Sequence, residues 1–294
     1  MGAILDCFGI TDRGKVRRLN EDQFLIAELV KHLRVRDTSL PRLDESPSAR
    51  GVVGHLLVVA DGMGGVAGGE VASGLAVELI SRYVARTMPW FYRYQDGREA
   101  ELEAELRVAV EACKQGVARA ASGTSLSGMG TTLTMAYVLW PRAYVVHAGD
   151  SRCYLIRGGA LHRVTRDHTV AQRAVEAGEL TPEEAAHSPL SHTLWNCIGA
   201  SASGVDPDVY RATLRPGDHL LLCTDGLTRG VSDDEIARVV AGSANPEEAA
   251  RALVSAANDA GGEDNITAVV ARARPRGSPD DTAVMDACEF LPAL

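Results

Sequence analysis

VVADGMGGVAGGE, residues 58–70, joins an apolar strand-like run to a glycine-rich turn. Residues 62–67 have the G-x-G-x-x-A spacing of a dinucleotide-binding turn. The stretch also places a carboxylate, Asp61, at the end of the strand, where an acid suits a cation better than an anionic pyrophosphate. Glu78 has the spacing of a ribose-binding acid but falls within a predicted helix. The metal-binding interpretation is therefore favoured over the cofactor-binding one.

The composition is that of an ordinary globular protein with an acidic balance. The chain has 294 residues and a net charge of -9, which argues against a generic nucleic-acid or anionic-membrane surface. Its six cysteines are scattered without a C-x-x-C pair, which is typical of buried thiols in a reducing compartment. No apolar run reaches the length of a membrane span. We expect a cytoplasmic protein with neither a nucleic-acid partner nor a membrane partner.

The secondary-structure signals predict a layered α+β fold. Short runs rich in Val, Leu and Thr predict strands, and Ser, Thr or Asn caps followed by Glu mark the starts of several helices. The predicted strands are 55–61, 131–140, 143–150, 219–226 and 265–272, and the predicted helices are 69–87, 100–121, 181–186, 232–240 and 245–258. These elements do not alternate regularly, so a parallel doubly wound sheet is disfavoured. Residues 34–51 read as an exposed loop, and residues 273–294 as a disordered tail.

Acidic residues recur at the ends of the predicted strands. Asp61, Asp150, Asp225 and Asp264 each occupy such a position, and Asp22 adjoins a further short apolar run. One acid of this kind is usually a turn residue or a helix cap. Several carboxylates at one edge repel each other unless a cation joins them, and oxygen ligands suit Mg²⁺ or Mn²⁺. The joint pattern predicts a metal site.

A cysteine-dependent phosphatase is an alternative. Cys223, Gly226 and Arg229 match the phosphate loop C-x-x-G-x-x-R of such enzymes. Leu222 stands where those enzymes have His, and Asp225 would put a carboxylate inside the phosphate cradle. Cys223 is better explained as a small apolar residue buried in a strand.

Six ordered motifs resemble the metal-dependent serine/threonine protein phosphatases of the PPM (protein phosphatase 2C) family, bacterial type. They are GKVRRLNED (14–22), VVADGMGG (58–65), SGMGTTLTMAYV (127–138), HAGDSRCYL (147–155), LLLCTDGL (220–227) and GEDNITAVV (262–270). The resemblance covers roughly residues 9–272 and implies a four-layer α-β-β-α sandwich with two central antiparallel sheets. It also implies a phosphatase domain over residues 1–272, with a flap at about 168–195.

The resemblance implies roles for the acids at the strand ends. By it, Asp61 bridges two Mn²⁺ or Mg²⁺ ions, and the carbonyl of Gly62 binds one of them. Asp225 and Asp264 complete the shell of the other ion, and Asp150 with Asp225 forms a weaker third-metal site. Glu21 and Asp22 would act mostly through bound waters.

The implied chemistry is hydrolysis of phosphoserine and phosphothreonine in proteins. Two cations lower the pKa of a water between them, and the hydroxide attacks phosphorus while the alkoxide leaves. An arginine holds the phosphate, and the family spacing, five residues before Asp22, selects Arg17 over Arg18. The catalytic residues implied in this way are Arg17, Asp61 and Asp225.

The sequence departs from the family pattern at Met63. Some family members have His there, as a proposed general acid, whereas a thioether cannot donate a proton. Among the histidines, His147 is expected in the core, and His168, His187 and His192 are expected at solvated positions near the flap.

The expected partners are phosphorylated proteins, including a serine/threonine protein kinase and its substrates. The alternative from another class is a non-catalytic, regulatory relative that binds phosphoproteins. The intact set of acids argues against that alternative.

Overall fold

Two antiparallel β-sheets form the centre of the protein in a computed structural model that describes residues 3–29, 33–39, 54–87, 99–199 and 205–275. The smaller sheet has the order β1 (Ala3–Asp12), β13 (Ile266–Pro275), β12 (His219–Cys223), β8 (Arg152–Arg157) and β9 (Ala160–Arg163). The larger sheet has the order β10 (Ile198–Gly199), β5 (Gly130–Thr131), β4 (Gly54–Met63), β6 (Leu133–Leu139), β7 (Arg142–Ala148) and β11 (Asp208–Thr213). In this larger sheet, β2 (Asp22–Leu29) also pairs with β4 and with β3 (Leu33–Thr38).

Seven helices lie within the described residues. They are α1 (Gly65–Thr87), α2 (Glu99–Ala121), α3 (Val170–Glu176), α4 (Pro182–Ala186), α5 (Asp225–Thr228), α6 (Asp233–Gly242) and α7 (Pro246–Asp259). The predicted caps at Thr181, Ser232 and Asn245 are present, since each side chain accepts the backbone N–H three residues later. None of the described helices is both long enough and apolar enough to cross a membrane.

The apolar side chains of β4 show why the layers stack. Leu56 and Val58 pack toward α1 and α2, whereas Leu57 and Val59 pack against the smaller sheet. Since successive side chains of a strand point to opposite faces, a strand covered on both faces reads as one continuous apolar run. The other face of the smaller sheet packs on α6 and α7, for example through Leu221. The predicted four-layer α+β sandwich is confirmed.

Some element boundaries differ from the prediction. The predicted exposed loop at 34–51 begins with a strand, because residues 33–38 form β3 against β2; residues 40–53 lie outside the described part. The predicted strand 219–226 ends at Cys223, and a helical turn starts at Asp225. The last strand runs to Pro275, three residues into the predicted tail, and residues 276–294 lie outside the described part.

Candidate active site

Two acids face each other across neighbouring strands of the larger sheet. Asp22 is the first residue of β2, and the antiparallel register pairs it with Asp61 near the end of β4. Directly opposed residues of an antiparallel pair lie close together, and like charges in such a pair repel. Sheet register therefore places two carboxylates at one point.

The other acids lie in the turns that follow or precede strands of both sheets. Asp225 begins α5 after β12, and Asp264 immediately precedes Asn265 and β13. Asp150 follows β7 after Gly149, whose φ of 123° suits glycine and lets the chain turn. An added Cβ on Gly149 would lie 2.6 Å from the Thr132 side chain, so the turn also needs the absence of a side chain.

A pocket of about 380 Å³ opens where these elements meet. Its lining residues are Arg17, Glu21, Asp61, Gly62, Met63, Gly64, Thr132, Asp150, His192, Leu194, Asp225, Arg229, Asp264 and Asn265. The structure therefore brings together every predicted site residue except Asp22 in the pocket wall. Asp22 lies behind this wall and is only 1% exposed.

Only one of the two oxygens of the buried Asp22 carboxyl accepts hydrogen bonds from the described residues. Its Oδ2 accepts hydrogen bonds from the hydroxyls of Thr224 (2.8 Å) and Thr267 (2.7 Å). Its Oδ1 is buried and has no hydrogen-bond partner among the described residues. Burial, followed by the charges of Asp225 and Asp264, raises the pKa of Asp22 to about 7, although the two hydroxyl bonds lower it. A cation near this carboxyl would relieve that cost.

Burial and neighbouring charges also oppose ionisation of Asp61 and Asp150. Burial, and then the charges of Asp22 and Asp225, raise the pKa of Asp61 well above its usual range. Burial followed by the charge of Asp225 raises the pKa of Asp150 to about 8. One oxygen of Asp225, Oδ1, is also buried and has no hydrogen-bond partner within the described part of the chain. Clustered carboxylates with unpartnered oxygens are the donor set that Mg²⁺ and Mn²⁺ prefer, so the residues fit such ions.

Gly62 stands at a point where the backbone is too crowded for any side chain. A Cβ on this residue would lie 2.1 Å from the Gly69 carbonyl oxygen and 2.7 Å from that of Glu21. The Gly62 N–H donates to the Glu21 carbonyl at 3.2 Å, which ties the end of β4 to the segment before β2. Only glycine allows this close approach, and it keeps Glu21 and Asp61 on the same wall.

Two arginines form ion pairs with Asp225 and Asp264, and the sequence predicts a site role for only one of the two arginines. Arg17 donates to Asp264 Oδ2 at 2.7 Å. Arg229 forms an ion pair with Asp225, and a second one with Asp264 at 3.2 Å. The sequence pattern places Arg229 only in a cysteine-phosphatase motif. Its spacing of four residues from Asp225 on a helical turn is the signal that indicates the ion pair.

Asn265 is a further residue that sequence reasoning missed. Its Oδ1 accepts the N–H of Glu21 at 2.8 Å, and its Nδ2 donates to the carbonyls of Arg13 and Leu19, both at 2.9 Å. Asn265 therefore holds both ends of the loop that carries Arg17. These bonds join residues about 250 positions apart in the sequence, and no local pattern indicates them.

The segment that the sequence predicts as a flap, residues 168–195, contributes His192 and Leu194 to the pocket wall. His192 is exposed as expected, and one of its nitrogens lies close to oxygens of Asp150 and Asp225, with all three atoms within 4.8 Å of one another. The expectation of a solvated His168 is wrong, since its side chain is fully buried. Its Nδ1 accepts from Gly149 N–H (3.3 Å) and from Asn196 Nδ2 (2.9 Å). Burial lowers the pKa of His168, consistent with this neutral, accepting nitrogen.

Cys223 does not have the surroundings of a nucleophile. The side chain is fully buried in β12, among the apolar residues between the smaller sheet and α6 and α7. Burial raises the pKa of its thiol to about 12, whereas a reactive cysteine needs a lowered pKa and access to substrate. The structure argues against the cysteine-dependent alternative.

Comparison with known proteins shows the family of the chain. Residues 34–259 match the family profile described as Protein phosphatase 2C. The chain belongs to the protein phosphatase 2C family. The predicted resemblance is thereby confirmed, and so is the predicted enzyme class, a protein phosphatase.

Relatives within the protein phosphatase 2C family match nearly the whole chain. The serine/threonine phosphatase stp of Listeria welshimeri is 33% identical over 88% of this chain and 92% of its own length. A solved serine/threonine phosphatase of S. agalactiae has a TM-score of 0.77 at 28% identity, covering 92% of this chain and 99% of its own. The catalytic domain of PstP, solved in complex with two manganese ions, has a TM-score of 0.69 at 32% identity, covering 93% and 100%.

Proposed function

We propose that this protein hydrolyses phosphoserine and phosphothreonine in proteins, with two Mn²⁺ or Mg²⁺ ions held among its clustered acids. The observation that carries the proposal is the convergence of buried and half-buried carboxylates at a pocket that is also lined by Arg17. Two of these acids, Asp22 and Asp225, have an oxygen without a hydrogen-bond partner among the described residues. Buried acids without a counter-charge destabilise a fold, so their presence together indicates a function that needs them.

The proposed metal-binding residues divide into those that contact an ion directly and those that act through bound water. Asp61 is the proposed bridge between the ions, with the Gly62 carbonyl on one of them. Asp225 and Asp264 are proposed for the other ion, and Asp150 with Asp225 for a third site. Glu21 and Asp22 are proposed to act through bound water, which suits the position of Asp22 behind the pocket wall.

Two divalent ions at these oxygens would lower the pKa of a water between them and offset the charge of the phosphoryl oxygens. The chain's own part is to hold the phosphate and to orient it. The Arg17 guanidinium is half exposed at the pocket wall and is fixed only through Asp264 in the described contacts. A planar guanidinium binds two phosphoryl oxygens at once, which orients the phosphorus for in-line attack.

Position 63 cannot supply the proton that the leaving alkoxide needs. Met63 lies in the pocket wall, where its thioether has no proton to donate. The flap segment is proposed to help set substrate preference, since His192 and Leu194 reach the pocket from it. Proteins phosphorylated by a serine/threonine kinase are the proposed substrates. A cytoplasmic location stays a prediction from cysteine usage.

The test is hydrolysis of a phosphothreonine peptide by the full chain with Mn²⁺, with EDTA, and with a thiol alkylator. We expect turnover that requires Mn²⁺, is lost in EDTA and survives alkylation. Asp225→Asn should reduce turnover by about 100-fold or more, because a catalytic charge is lost while the shape is kept. The matched control is Asp234→Asn, at an exposed acid in the first turn of α6.

Four outcomes would count against the proposal. Full activity in EDTA would contradict the role of the metal, and loss on alkylation alone would restore the Cys223 alternative. Binding of the phosphopeptide without any turnover would favour the non-catalytic relative. Near-normal turnover in Asp225→Asn would refute the residue assignment.

A further inference from the structure

Arg229 occupies a position from which it can reach the same point as Arg17. It caps the C-terminal end of α5, and its guanidinium pairs with Asp225 and with Asp264 Oδ2. Arg17 donates to that same Oδ2 atom at 2.7 Å, from the loop between β1 and β2. Two guanidinium groups from separate elements therefore converge on one carboxylate oxygen at the pocket.

Both carboxylate partners of Arg229 are proposed metal ligands. When a divalent cation takes the oxygens of Asp225 and Asp264, a guanidinium at those oxygens is repelled by the cation and loses the negative charge that held it. The backbone of Arg229 caps α5 and its side chain lines the pocket, so the freed guanidinium remains tethered at the pocket wall. Under the proposed function, the anion that enters this pocket is the phosphoryl dianion of the substrate.

Arg229 is also placed at the boundary between two cavities. It lines the pocket of about 380 Å³ that holds the acids and a neighbouring cavity of about 600 Å³ beneath α3 and α4. His192 lines both cavities as well, and its Nδ1 lies 3.3 Å from the guanidinium of Arg229. A phosphorylated side chain that approaches the acids from either cavity comes within reach of Arg229.

We propose that Arg229 is a second phosphate-binding residue, which exchanges its carboxylate partners for the phosphoryl group when the cations bind. This inference rests on the proposed function, because it takes Asp225 and Asp264 as metal ligands. One guanidinium can bind two of the three terminal phosphoryl oxygens, so Arg17 and Arg229 together can hold the group from two sides. An ordinary ion pair between residues four apart on a helix would have no such effect on phosphate, because it contributes only to local stability.

The experiment measures binding of inorganic phosphate to the Mn²⁺-loaded full chain by titration calorimetry. The variants are Arg229→Gln and Arg229→Lys, with Arg238→Gln as the matched control at an exposed arginine that pairs within its own helix. We expect the Kd of phosphate to rise about tenfold in Arg229→Gln, which removes a charge-assisted bond, and to rise less in Arg229→Lys, which keeps the charge but not the planar fork. Arg238→Gln should match the wild type.

A parallel titration with Mn²⁺ separates this role from a structural one. Removal of a competing guanidinium should leave Mn²⁺ binding unchanged or tighter in Arg229→Gln. Unchanged phosphate affinity would overturn the inference. A loss of phosphate affinity matched by an equal loss of Mn²⁺ affinity would also overturn it, because Arg229 would then only position Asp225.

Failure of the proposed function shows in a different measurement. If the wild-type protein binds no Mn²⁺ or shows no Mn²⁺-dependent turnover, the metal mechanism fails, whatever Arg229 does. If the wild type does both and binds phosphate, while the two Arg229 variants bind phosphate equally well, only the inference about Arg229 fails.

Discussion

Replacing Asp22 by Asn should stabilise the metal-free protein while impairing its response to metal. The Asp22 carboxyl is buried behind the pocket, with two hydroxyl donors on one oxygen and none on the other. Asn has the same shape, and its amide oxygen can accept the bonds from Thr224 and Thr267. The substitution therefore removes a charge without opening a cavity.

The size of the effect follows from the pKa of Asp22, which burial raises from 3.8 to about 7. Between these values the folded protein holds a proton that the unfolded chain has lost, so stability falls as pH rises. A shift of about three units corresponds to about 4 kcal/mol once the pH is above both values. Between pH 5.5 and 8 the part lost is about 2 kcal/mol, which the Asn variant should not lose.

The assay is urea unfolding of wild type and Asp22→Asn in EDTA at pH 5.5 and pH 8. The stability difference between the two proteins is the proper readout, because His147 titrates in the opposite direction. Burial lowers the pKa of His147 to about 3, so its contribution to stability is lost as pH falls below 6.5. This contribution cancels between wild type and variant. Asp234→Asn, an exposed acid, serves as the control.

The variant should become more stable relative to wild type by about 2 kcal/mol as the pH rises from 5.5 to 8. With Mn²⁺ present, the difference in unfolding free energy between the variant and the wild type should shrink or change sign. The reason is that the cation stabilises the charged Asp22 of the wild type, whereas the variant has no charge there. An equal stability difference at both pH values in EDTA would refute the reasoning, because burial would then not oppose ionisation of Asp22.

Two other substitutions test the backbone and the buried polar contacts around the site. Gly62→Ala should lower the melting temperature and abolish turnover, since its Cβ would lie 2.1 Å from a backbone oxygen. The control, Gly242→Ala, should keep the melting temperature of the wild type, because its Cβ would meet no described atom within 4 Å. Equal melting temperatures for both variants would contradict this. His168→Ala should cost about 1–3 kcal/mol for each donor left without an acceptor, here the N–H of Gly149 and the amide of Asn196. Faster hydrogen exchange at Gly149 is the expected measurement, and unchanged exchange would show that His168 does not hold this turn.

Several features of the protein could be read from local sequence alone. Helix starts at Ser232 and Asn245 were predictable because a cap and its Glu lie within one turn. The acids at strand ends were predictable because an acid after an apolar run is a local pattern. The order of the six motifs was sufficient to indicate the family, and the family to indicate the four layers.

Other features depended on the pairing of distant segments. The polar sequence of β3 predicts a loop, because these residues form a strand only once β2 is beside them. The sequence predicts a solvated His168, because nothing near it in sequence indicates its contacts with Gly149 and Asn196.

The sequence by itself determined which acids the protein has and the order in which the chain presents them. Only the tertiary structure decided that Asp22 lies opposite Asp61 and that the hydroxyls of Thr224 and Thr267 donate to its Oδ2. The two hydroxyl contacts span 202 and 245 residues, so they arise from the packing of one sheet on the other. The pairing of Arg229 with Asp264 depends on the neighbouring positions of β12 and β13 in the smaller sheet. Local pattern fixes what a residue can do, whereas register and layer packing fix which charges it meets.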